Sequence, residues 1–246
     1  MSTSELSGPT IERVQTEDSR FYKVTKKDGS IAYMPSITTI LQSVKVDSYF
    51  LDNWKEEQAE KLGMLGKRIE LFLSAERGTA VHNAIERWNN GEQLDWKKDG
   101  YTSEEWARVC EYMNWAEERE HKFLQSEIFV FSEHYNWAGQ CDGIVEIDGK
   151  KYIIDFKTGK DLYLSNKLQV AAYWQAYQEM TGEEIHGAIL LCVGYTKNRK
   201  GFKELILEGK ELAYYLDGFG LHKALFDWSN PDFSPKHELL PTSFSH

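Results

Sequence analysis

An Asp148-Gly149 pair between two apolar runs constrains the fold of this chain more than any other short segment. Asp-Gly favours a two-residue type I′ turn, which joins two antiparallel strands into a hairpin and fixes their register. If these two residues form the loop, Ile147 faces Lys150, and the register of every other cross-strand pair follows. In that register Asp142 lies directly opposite Asp155, whereas a slip of one residue would move them to opposite faces.

Two opposed carboxylates on one sheet face destabilise a hairpin unless a cation binds between them. Directly opposed residues have Cβ atoms roughly 4.5–5.5 Å apart, and like charges at that separation repel each other. A hard cation such as Mg²⁺ reverses the sign of this interaction because it binds oxygen ligands. Lys157 projects from the same face as Asp155, where it can bind a phosphate or orient a water. The hairpin by itself leaves both a metal site and an ordinary charged surface open.

Composition excludes several classes of protein. Hydrophobic residues make up 41% of the 246 residues, which is enough to build a buried core. No apolar stretch of about 18 residues is present, so a membrane span is not expected. The three cysteines are isolated from one another in the sequence, which argues against a disulfide framework or a zinc knuckle.

The net charge of −10 runs against the common pattern of nucleic-acid-binding proteins. Such proteins usually have a basic surface, because contacts to phosphate dominate their affinity. Net charge does not describe a local groove, so a nuclease remains compatible with it, whereas tight coating of duplex DNA does not. Aromatic residues make up 13% of the chain, and although most are expected in the core, some could stack on single-stranded bases.

Hydrophobic periodicity and turn signals predict one α/β domain over residues 21–246, after a flexible tail at residues 1–20. The predicted elements are strands 21–25 and 31–34, helices 37–41, 47–75, 78–90 and 102–121, strands 127–133, 138–147 and 151–157, helix 166–180, strands 186–195 and 202–207, and helix 210–228. Gly63 and Gly66 are expected to divide the second helix. Ser36 and Thr102 are the predicted N-caps of the first and fourth helices.

Four short motifs accompany the hairpin. They are Gly78-Thr79-Ala80-Val81-His82, Gly139-Gln140-Cys141-Asp142, Ile154-Asp155-Phe156-Lys157-Thr158 and Gln169-Val170-Ala171-Ala172-Tyr173. Each motif is weak alone, but in this order, over residues 33–225, they resemble the PD-(D/E)xK nuclease superfamily. The local motifs are most similar to its RecB-like branch and to mitochondrial genome maintenance exonucleases, including enzymes of phage. The segment from Tyr33 to Leu41 is similar to a P-S-V-T segment of those exonucleases.

The resemblance implies a restriction-endonuclease-like core of a helix, a three-strand meander, a helix and a strand, with additional N-terminal helices. It also implies that residues 36–75 form a helical elaboration over a cleft. The implied metal ligands are His82, Asp142, Asp155 and the main-chain carbonyl of Phe156, and the implied catalytic residues are Asp142, Asp155 and Lys157. The implied supporting or DNA-binding residues are Gln169, Tyr173, Thr158, Ser36, Thr38 and Glu127.

Some of these residues also fit ordinary structural roles. A lone histidine on an apolar helix is more often a core residue than a ligand, and the two opposed acids are what favour ligation by His82. Glu127 fits an exposed strand position as well as an assisting one. Tyr49, Phe50 and Trp54 are candidates for stacking on a threaded single strand, with helix–helix packing as the alternative.

The function implied by the resemblance is Mg²⁺-dependent hydrolysis of DNA by an exonuclease, with Mn²⁺ able to substitute because an imidazole ligand suits it. A preference for single strands or free ends is expected, in replication, recombination or repair. Iron–sulfur members of the group use four cysteines, so three cysteines exclude a cluster here. A structure-selective endonuclease, an inactive nuclease fold that binds DNA or protein, and an unrelated acidic α/β binding protein remain alternatives.

The first twenty residues carry Glu5, Glu12, Glu17 and Asp18 and have no apolar core. A mitochondrial import sequence is Arg-rich and poor in acids, and a secretory signal has an apolar segment. The expected location is therefore the cytoplasm of a bacterium or of a phage-infected host, without a membrane. The sequence predicts DNA as a partner and names no protein partner.

Overall fold

A computed structural model describes residues 9–15, 20–43 and 48–235, although several side chains between residues 48 and 67 lie outside that description. The elements are β1 (Thr10–Gln15), β2 (Arg20–Thr25), β3 (Ile31–Pro35), α1 (Ile37–Ser43), α2 (Ser48–Asn89), α3 (Ser103–Glu118), β4 (Lys122–Ser132), β5 (Trp137–Ile147), β6 (Lys150–Lys157), α4 (Leu164–Thr181), β7 (Gly187–Val193), β8 (Phe202–Glu208) and α5 (Gly209–Ser229). The strands form a three-stranded and a five-stranded sheet.

The five-stranded sheet has the order β4-β5-β6-β7-β8 and is buried on both faces. Its β6–β7 pair is parallel and the other pairs are antiparallel, as expected where a helix, here α4, connects two parallel strands. Alternate residues of β6 enter different cores. Ile153 packs in the cluster built with α4 and α5, and Ile154 packs in the cluster built with α2 and α3. The predicted α/β class and core order are confirmed.

The β5–β6 hairpin has the predicted turn and the predicted register. Asp148 and Gly149 both have positive φ, of 51° and 73°, as a type I′ turn requires. Ile147 pairs with Lys150, and the ladder continues in the same register towards the acids. A two-residue turn therefore determined the position of acids that lie well beyond it on either strand.

The N-terminal region differs from the predicted flexible tail. Thr10–Gln15 form β1, which pairs antiparallel with β2, so the prediction was wrong for these residues. The β1 sequence has no apolar–polar alternation, because the charged pair Glu12 and Arg13 separates Ile11 from Val14. Pairing with β2 stabilises a strand that its own sequence does not indicate.

The helices predicted over residues 47–75 and 78–90 are one element, α2, with a break at Gly63. Gly63 has φ 71° and ψ 173°, so it divides the helix as expected, whereas Gly66 and Gly78 do not. The predicted N-caps are present at Ser36 and Thr102, whose side chains accept hydrogen bonds from Thr39 N–H and Glu105 N–H. None of the described helices is long and apolar enough to cross a bilayer.

The three-stranded sheet packs against one end of β4 and β5. Tyr22, Val24 and Met34 form an apolar cluster with Phe131 and Ala138. Ser36, at the end of β3, makes a parallel bridge to Ala138. These contacts place β1, β2 and the start of α1 beside the residues of β5 that lead to Asp142.

Candidate active site

His82 lies on α2 and faces the acids of the sheet. Its neighbours Val81 and Ile85 are buried against residues of α3 and β6, which anchors this turn of the helix on the sheet. The Nδ1 atom of His82 lies 3.0 Å from Oδ1 of Asp142. Burial lowers the pKa of His82, but the charge and the hydrogen bond of Asp142 outweigh burial, so the pKa is raised.

Asp142 lies where the pairing of β5 with β6 ends. Gly143 and Ile154 form the last pair of the ladder, and Asp142 and Asp155 are the next residues in the same register. The Oδ2 atom of Asp142 accepts a hydrogen bond of 2.5 Å from the Phe156 N–H, so a side chain takes the place of the next ladder bond. Because N–H and C=O of one strand residue point to the same edge, the Phe156 carbonyl faces this edge too.

The carboxyl groups of Asp142 and Asp155 are perturbed in opposite directions. Burial raises the pKa of Asp142, but His82 outweighs burial, so the pKa of Asp142 is lowered. Burial raises the pKa of Asp155 to about 6, where Lys157 opposes the shift and Asp142 adds to it. One carboxylate is thus stabilised by its partners, while the environment of the other disfavours its charge.

A chain of polar contacts holds Lys157. Its Nζ lies 2.6 Å from Asp155 Oδ2, and it donates a hydrogen bond of 3.1 Å to Gln169 Oε1. Gln169 in turn donates a bond of 2.7 Å to the hydroxyl of buried Tyr173. Gln169 and Tyr173 therefore act on the site through the lysine that they position. Asp155 Oδ2 is buried, and its contact with Lys157 is an ion pair that does not have the geometry of a hydrogen bond.

Glu127 is brought into the site by an irregular stretch of β4. The β4–β5 register shifts between Phe123 and Gln125, and farther along it places Glu127 opposite Asp142. Glu127 has a φ of 50°, a left-handed conformation that is uncommon for glutamate and is retained mostly where function or packing requires it. Its Oε2 accepts a hydrogen bond of 2.7 Å from Gln140.

The carboxyl of Glu127 is in an environment that disfavours its charge. Burial raises its pKa to about 7, and the neighbouring charges of Asp142 and Glu86 add to the shift. Ligand atoms of His82, Glu127 and Asp142 all lie within 4.8 Å of one another. This set differs from the expected one, because it contains Glu127 while Lys157 holds Asp155.

The donor chemistry of this cluster fits a divalent cation. Carboxylate oxygens are the ligands of Mg²⁺, and a single imidazole is compatible with Mn²⁺ as well. Burial, with a further contribution from neighbouring acids, raises the pKa values of Glu127 and Asp155, and a cation would stabilise their charged forms. Asp155 lies at the same place, and the ammonium group of Lys157 is its present counter-charge.

Two motif glycines permit close contacts that build the site. A Cβ on Gly139 would lie 2.5 Å from Cε1 of Tyr173, so only glycine leaves room for that ring. A Cβ on Gly78 would lie 3.3 Å from Oγ1 of Thr158, the residue that follows Lys157. Thr158 therefore contacts the turn of α2 that carries His82, which explains the presence of glycine inside this helix.

A cleft of about 420 Å³ opens beside the cluster. Its walls include three of the candidate ligands, both predicted polar residues at the start of α1, and two arginines of the N-terminal sheet. These residues are His82, Glu127, Asp142, Ser36, Thr38, Arg13 and Arg20. Sequence reasoning missed the two arginines, because they belong to the segment predicted as a tail.

The stacking of three aromatic residues on single-stranded bases stays a prediction. Tyr49, Phe50 and Trp54 lie in the first part of α2, and their side chains are outside the described residues. Farther along α2, Ala75 and Thr79 line the cleft. The second half of this helix thus forms one wall of the site.

Comparison with known proteins identifies the family. The sequence matches the PD-(D/E)XK nuclease superfamily over residues 54–238, about three quarters of the chain. No curated protein matches it. One solved structure with similarity, titled "Crystal structure of SSO0001", has 13% identity and a TM-score of 0.35, and the similarity covers 78% of this chain and 82% of the other.

A second solved structure is an alkaline exonuclease from Laribacter hongkongensis. It has 8% identity and a TM-score of 0.27, and the similarity covers 58% of this chain and 78% of the other. These structural scores are too low to support an argument about function, so the assignment rests on the family match and on the fold. The matched region contains α3, the whole five-stranded sheet, and the part of α2 that carries His82. The chain belongs to the PD-(D/E)XK nuclease superfamily and is a nuclease.

Proposed function

We propose that this protein is a divalent-metal-dependent deoxyribonuclease that degrades single-stranded DNA or DNA with free ends as an exonuclease. The observation that supports this proposal best is the approach of His82, Glu127 and Asp142 to within 4.8 Å of one another beside Lys157. Degradation of DNA ends serves replication, recombination or repair, and we assign the protein to these processes.

His82, Glu127 and Asp142 are the residues that would hold the ion, and Asp155 and the Phe156 carbonyl lie next to them. A bound Mg²⁺ supplies Lewis acidity to the phosphodiester and an activated water. Lys157 carries its positive charge on the same face as Asp155 and binds an oxygen of the scissile phosphate or orients the attacking water. Asp155 and Gln169 keep the ammonium group in place for this role.

The size of the cleft supports action on an unpaired strand. A volume of about 420 Å³ lies within the range of pockets that enclose one small ligand, roughly 300–1,000 Å³. Such a cleft is large enough for one or a few nucleotides of an extended strand, which agrees with the proposed action on an unpaired end.

Linear and circular single-stranded DNA of the same sequence test this proposal. We expect Mg²⁺ and Mn²⁺ to support degradation of the linear strand, and we expect EDTA and the Asp142→Asn variant to abolish it. Labels at the 5′ or the 3′ end show the direction from the order in which short products appear.

Cleavage of the circle at a rate similar to that of the linear strand would contradict exonuclease action and favour the endonuclease. Binding of either DNA without hydrolysis under every metal condition would favour an inactive nuclease fold. A Lys23→Ala variant, which removes a charge of β2 that lies outside the cleft, is the matched control and is expected to behave as the unmodified protein.

A further inference from the structure

The N-terminal sheet is an addition to the part of the chain that defines the family. The family match begins at residue 54, whereas β1, β2 and β3 span residues 10–35. The sheet nevertheless packs on β4 and β5 and reaches the cleft beside Asp142. Any contribution that it makes to the site therefore comes from outside the segment that matches the family.

The register of β1 and β2 places two arginines on the sheet face that is turned towards the core. Ile11 pairs with Val24, Arg13 pairs with Tyr22, and Gln15 pairs with Arg20. Because side chains alternate between faces, Ile11, Arg13, Arg20, Tyr22 and Val24 share one face. The face is apolar at the Ile11–Val24 end, which packs against the cluster around Phe131. It becomes basic where it reaches the cleft.

Arg13, Arg20 and Glu127 all line the cleft. The buried Tyr22 ring is their common neighbour. Burial raises the pKa of Tyr22, the charges of Arg20 and Arg13 lower it, and the charge of Glu127 raises it further. The Tyr22 hydroxyl therefore lies near both arginines and near a candidate metal ligand.

A polyanion that enters the cleft finds few positively charged side chains to bind. Among the described residues that line it, Arg13 and Arg20 carry the permanent positive charges, while Glu127 and Asp142 are acidic. The protein as a whole has a net charge of −10. Within the described part of the chain, no carboxylate forms an ion pair with Arg13, which is exposed. The two arginines and the acidic cluster line the same cleft, so a DNA strand that occupies the cleft passes both.

We propose that Arg13 and Arg20 bind a phosphate of the DNA strand next to the bond that is hydrolysed. This inference rests on the proposed function. Diagonal neighbours on paired strands have separations of about 7–8 Å, so the two side chains can converge on one phosphate or contact two in succession. Guanidinium groups suit this role because their planar N–H donors match the oxygens of phosphate.

Binding of a fluorescent single-stranded 12-mer in EDTA, over a series of KCl concentrations, tests this proposal without hydrolysis. We expect the Arg13→Ala/Arg20→Ala variant to bind about tenfold more weakly or worse, because it can no longer donate charged hydrogen bonds to phosphate. The slope of log affinity against log salt should fall by roughly 0.7 for each phosphate that the variant fails to neutralise. Arg13→Lys/Arg20→Lys should restore the slope, because the charges return.

The matched control is Lys23→Ala, which removes one positive charge from the other face of β2. Equal affinity and equal salt dependence in the double alanine variant and in this control would overturn the proposal. Oligonucleotides with 5′-phosphate and 5′-hydroxyl ends separate the two sources of phosphate. An equal weakening for both indicates a phosphodiester inside the strand, and a larger weakening for the phosphorylated strand indicates a terminal phosphate.

The same variants keep this inference separate from the proposed function. If the unmodified protein does not hydrolyse DNA but binds it more weakly when the two arginines are replaced, the nuclease proposal fails and the phosphate site stands. If the unmodified protein hydrolyses DNA and the arginine variant binds as the control does, the phosphate site fails and the nuclease proposal stands.

Discussion

The two ends of the cleft are built on different principles. The acidic end consists of side chains from α2, β4, β5 and β6, and it is buried, crowded and irregular in backbone. Glu127 is in a left-handed conformation, and Asp155 has a pKa raised to about 6. The basic end consists of Arg13 and Arg20 on a regular antiparallel pair, and the Arg13 side chain is exposed. The comparison indicates that unusual backbone and raised carboxyl pKa values are concentrated where a metal would bind, whereas the proposed phosphate contacts come from arginines on regular strands.

Replacement of an acid at the buried end should have the largest effect on hydrolysis. We expect Asp155→Asn to lower the rate by about 10³-fold or more, because it removes the oxygen charge and releases Lys157 from its position. The same change should stabilise the protein in EDTA at pH 8, since burial raises the pKa of this carboxyl and the folded protein therefore disfavours its charged form there.

Thermal unfolding in EDTA and a nuclease assay in Mg²⁺ measure the two effects on one preparation. An active variant, or one that unfolds at a lower temperature than the unmodified protein, would contradict this account. Glu133→Gln is a control, because Glu133 is an exposed acid that contacts Lys26 away from the cleft.

Metal affinity should depend steeply on pH at the acidic end. The pKa of Glu127 is raised to about 7 and that of Asp155 to about 6, so both groups bind protons that a cation must displace below these values. We expect Mn²⁺ to bind about 10–100-fold more weakly at pH 5.5 than at pH 8. Calorimetry measures the Mn²⁺ affinity, and Glu127→Gln should weaken the dependence of this affinity on pH near pH 7.

Stability without metal should change with pH in the opposite direction. Because both folded-state pKa values lie above the usual carboxyl values, the folded protein binds more protons than the unfolded chain between about pH 4 and 7. The contribution of these two groups is therefore favourable at low pH and is lost as the pH rises through 6 and 7. A melting series in EDTA for the unmodified protein and Glu127→Gln tests this sign.

Gly139 of β5 lies against Tyr173 of α4, and a substitution at this contact should affect both stability and hydrolysis. Gly139→Ala would place a methyl group 2.5 Å from the Tyr173 ring, and we expect the protein to be destabilised by about 1–3 kcal/mol. Hydrolysis should fall as well, because Tyr173 positions Gln169, which holds Lys157. Gly220→Ala is the control, since a Cβ there meets open space in a helix and should stabilise by about 0.5–1 kcal/mol.

The smallest effect on chemistry is expected at the basic end. Arg13→Ala should raise the KM for a single-stranded oligonucleotide several-fold more than it lowers kcat, because the proposed contact is with a neighbouring phosphate and not with the reacting one. The proposed contact of Arg13 is with the phosphate adjacent to the hydrolysed bond, so the increase should become smaller at high salt, where phosphate contacts contribute less. Steady-state kinetics at two KCl concentrations measure it, and a decrease confined to kcat would place Arg13 in the chemical step instead.

The acidic end was the more predictable of the two from sequence. The type I′ turn at Asp148 and Gly149 is a local signal, and it fixed the register that brings Asp142 beside Asp155. His82 was located by its motif on a helix whose neighbouring residues are apolar. These signals work because each depends on residues close together in the chain.

The features that escaped prediction depend on tertiary contacts. Glu127 was expected only as a supporting residue, and its place among the candidate ligands depends on the register shift of β4 between Phe123 and Gln125 and on its own left-handed backbone conformation, neither of which has a sequence signal. β1 pairs with β2 although its own sequence does not indicate a strand, and α2 continues through Gly78, where it lies close to Thr158. Local propensity is a weak guide where such packing decides the conformation.

The central claim is that the acidic end of the cleft binds the divalent cation on which hydrolysis of DNA depends. The most direct measurement is the initial rate of hydrolysis of an end-labelled single strand against Mg²⁺ concentration, for the unmodified protein and Asp142→Asn. This account predicts a saturable dependence on Mg²⁺ for the former and no measurable rate at any concentration for the latter. A rate that is independent of Mg²⁺, or equal in the two proteins, would contradict it.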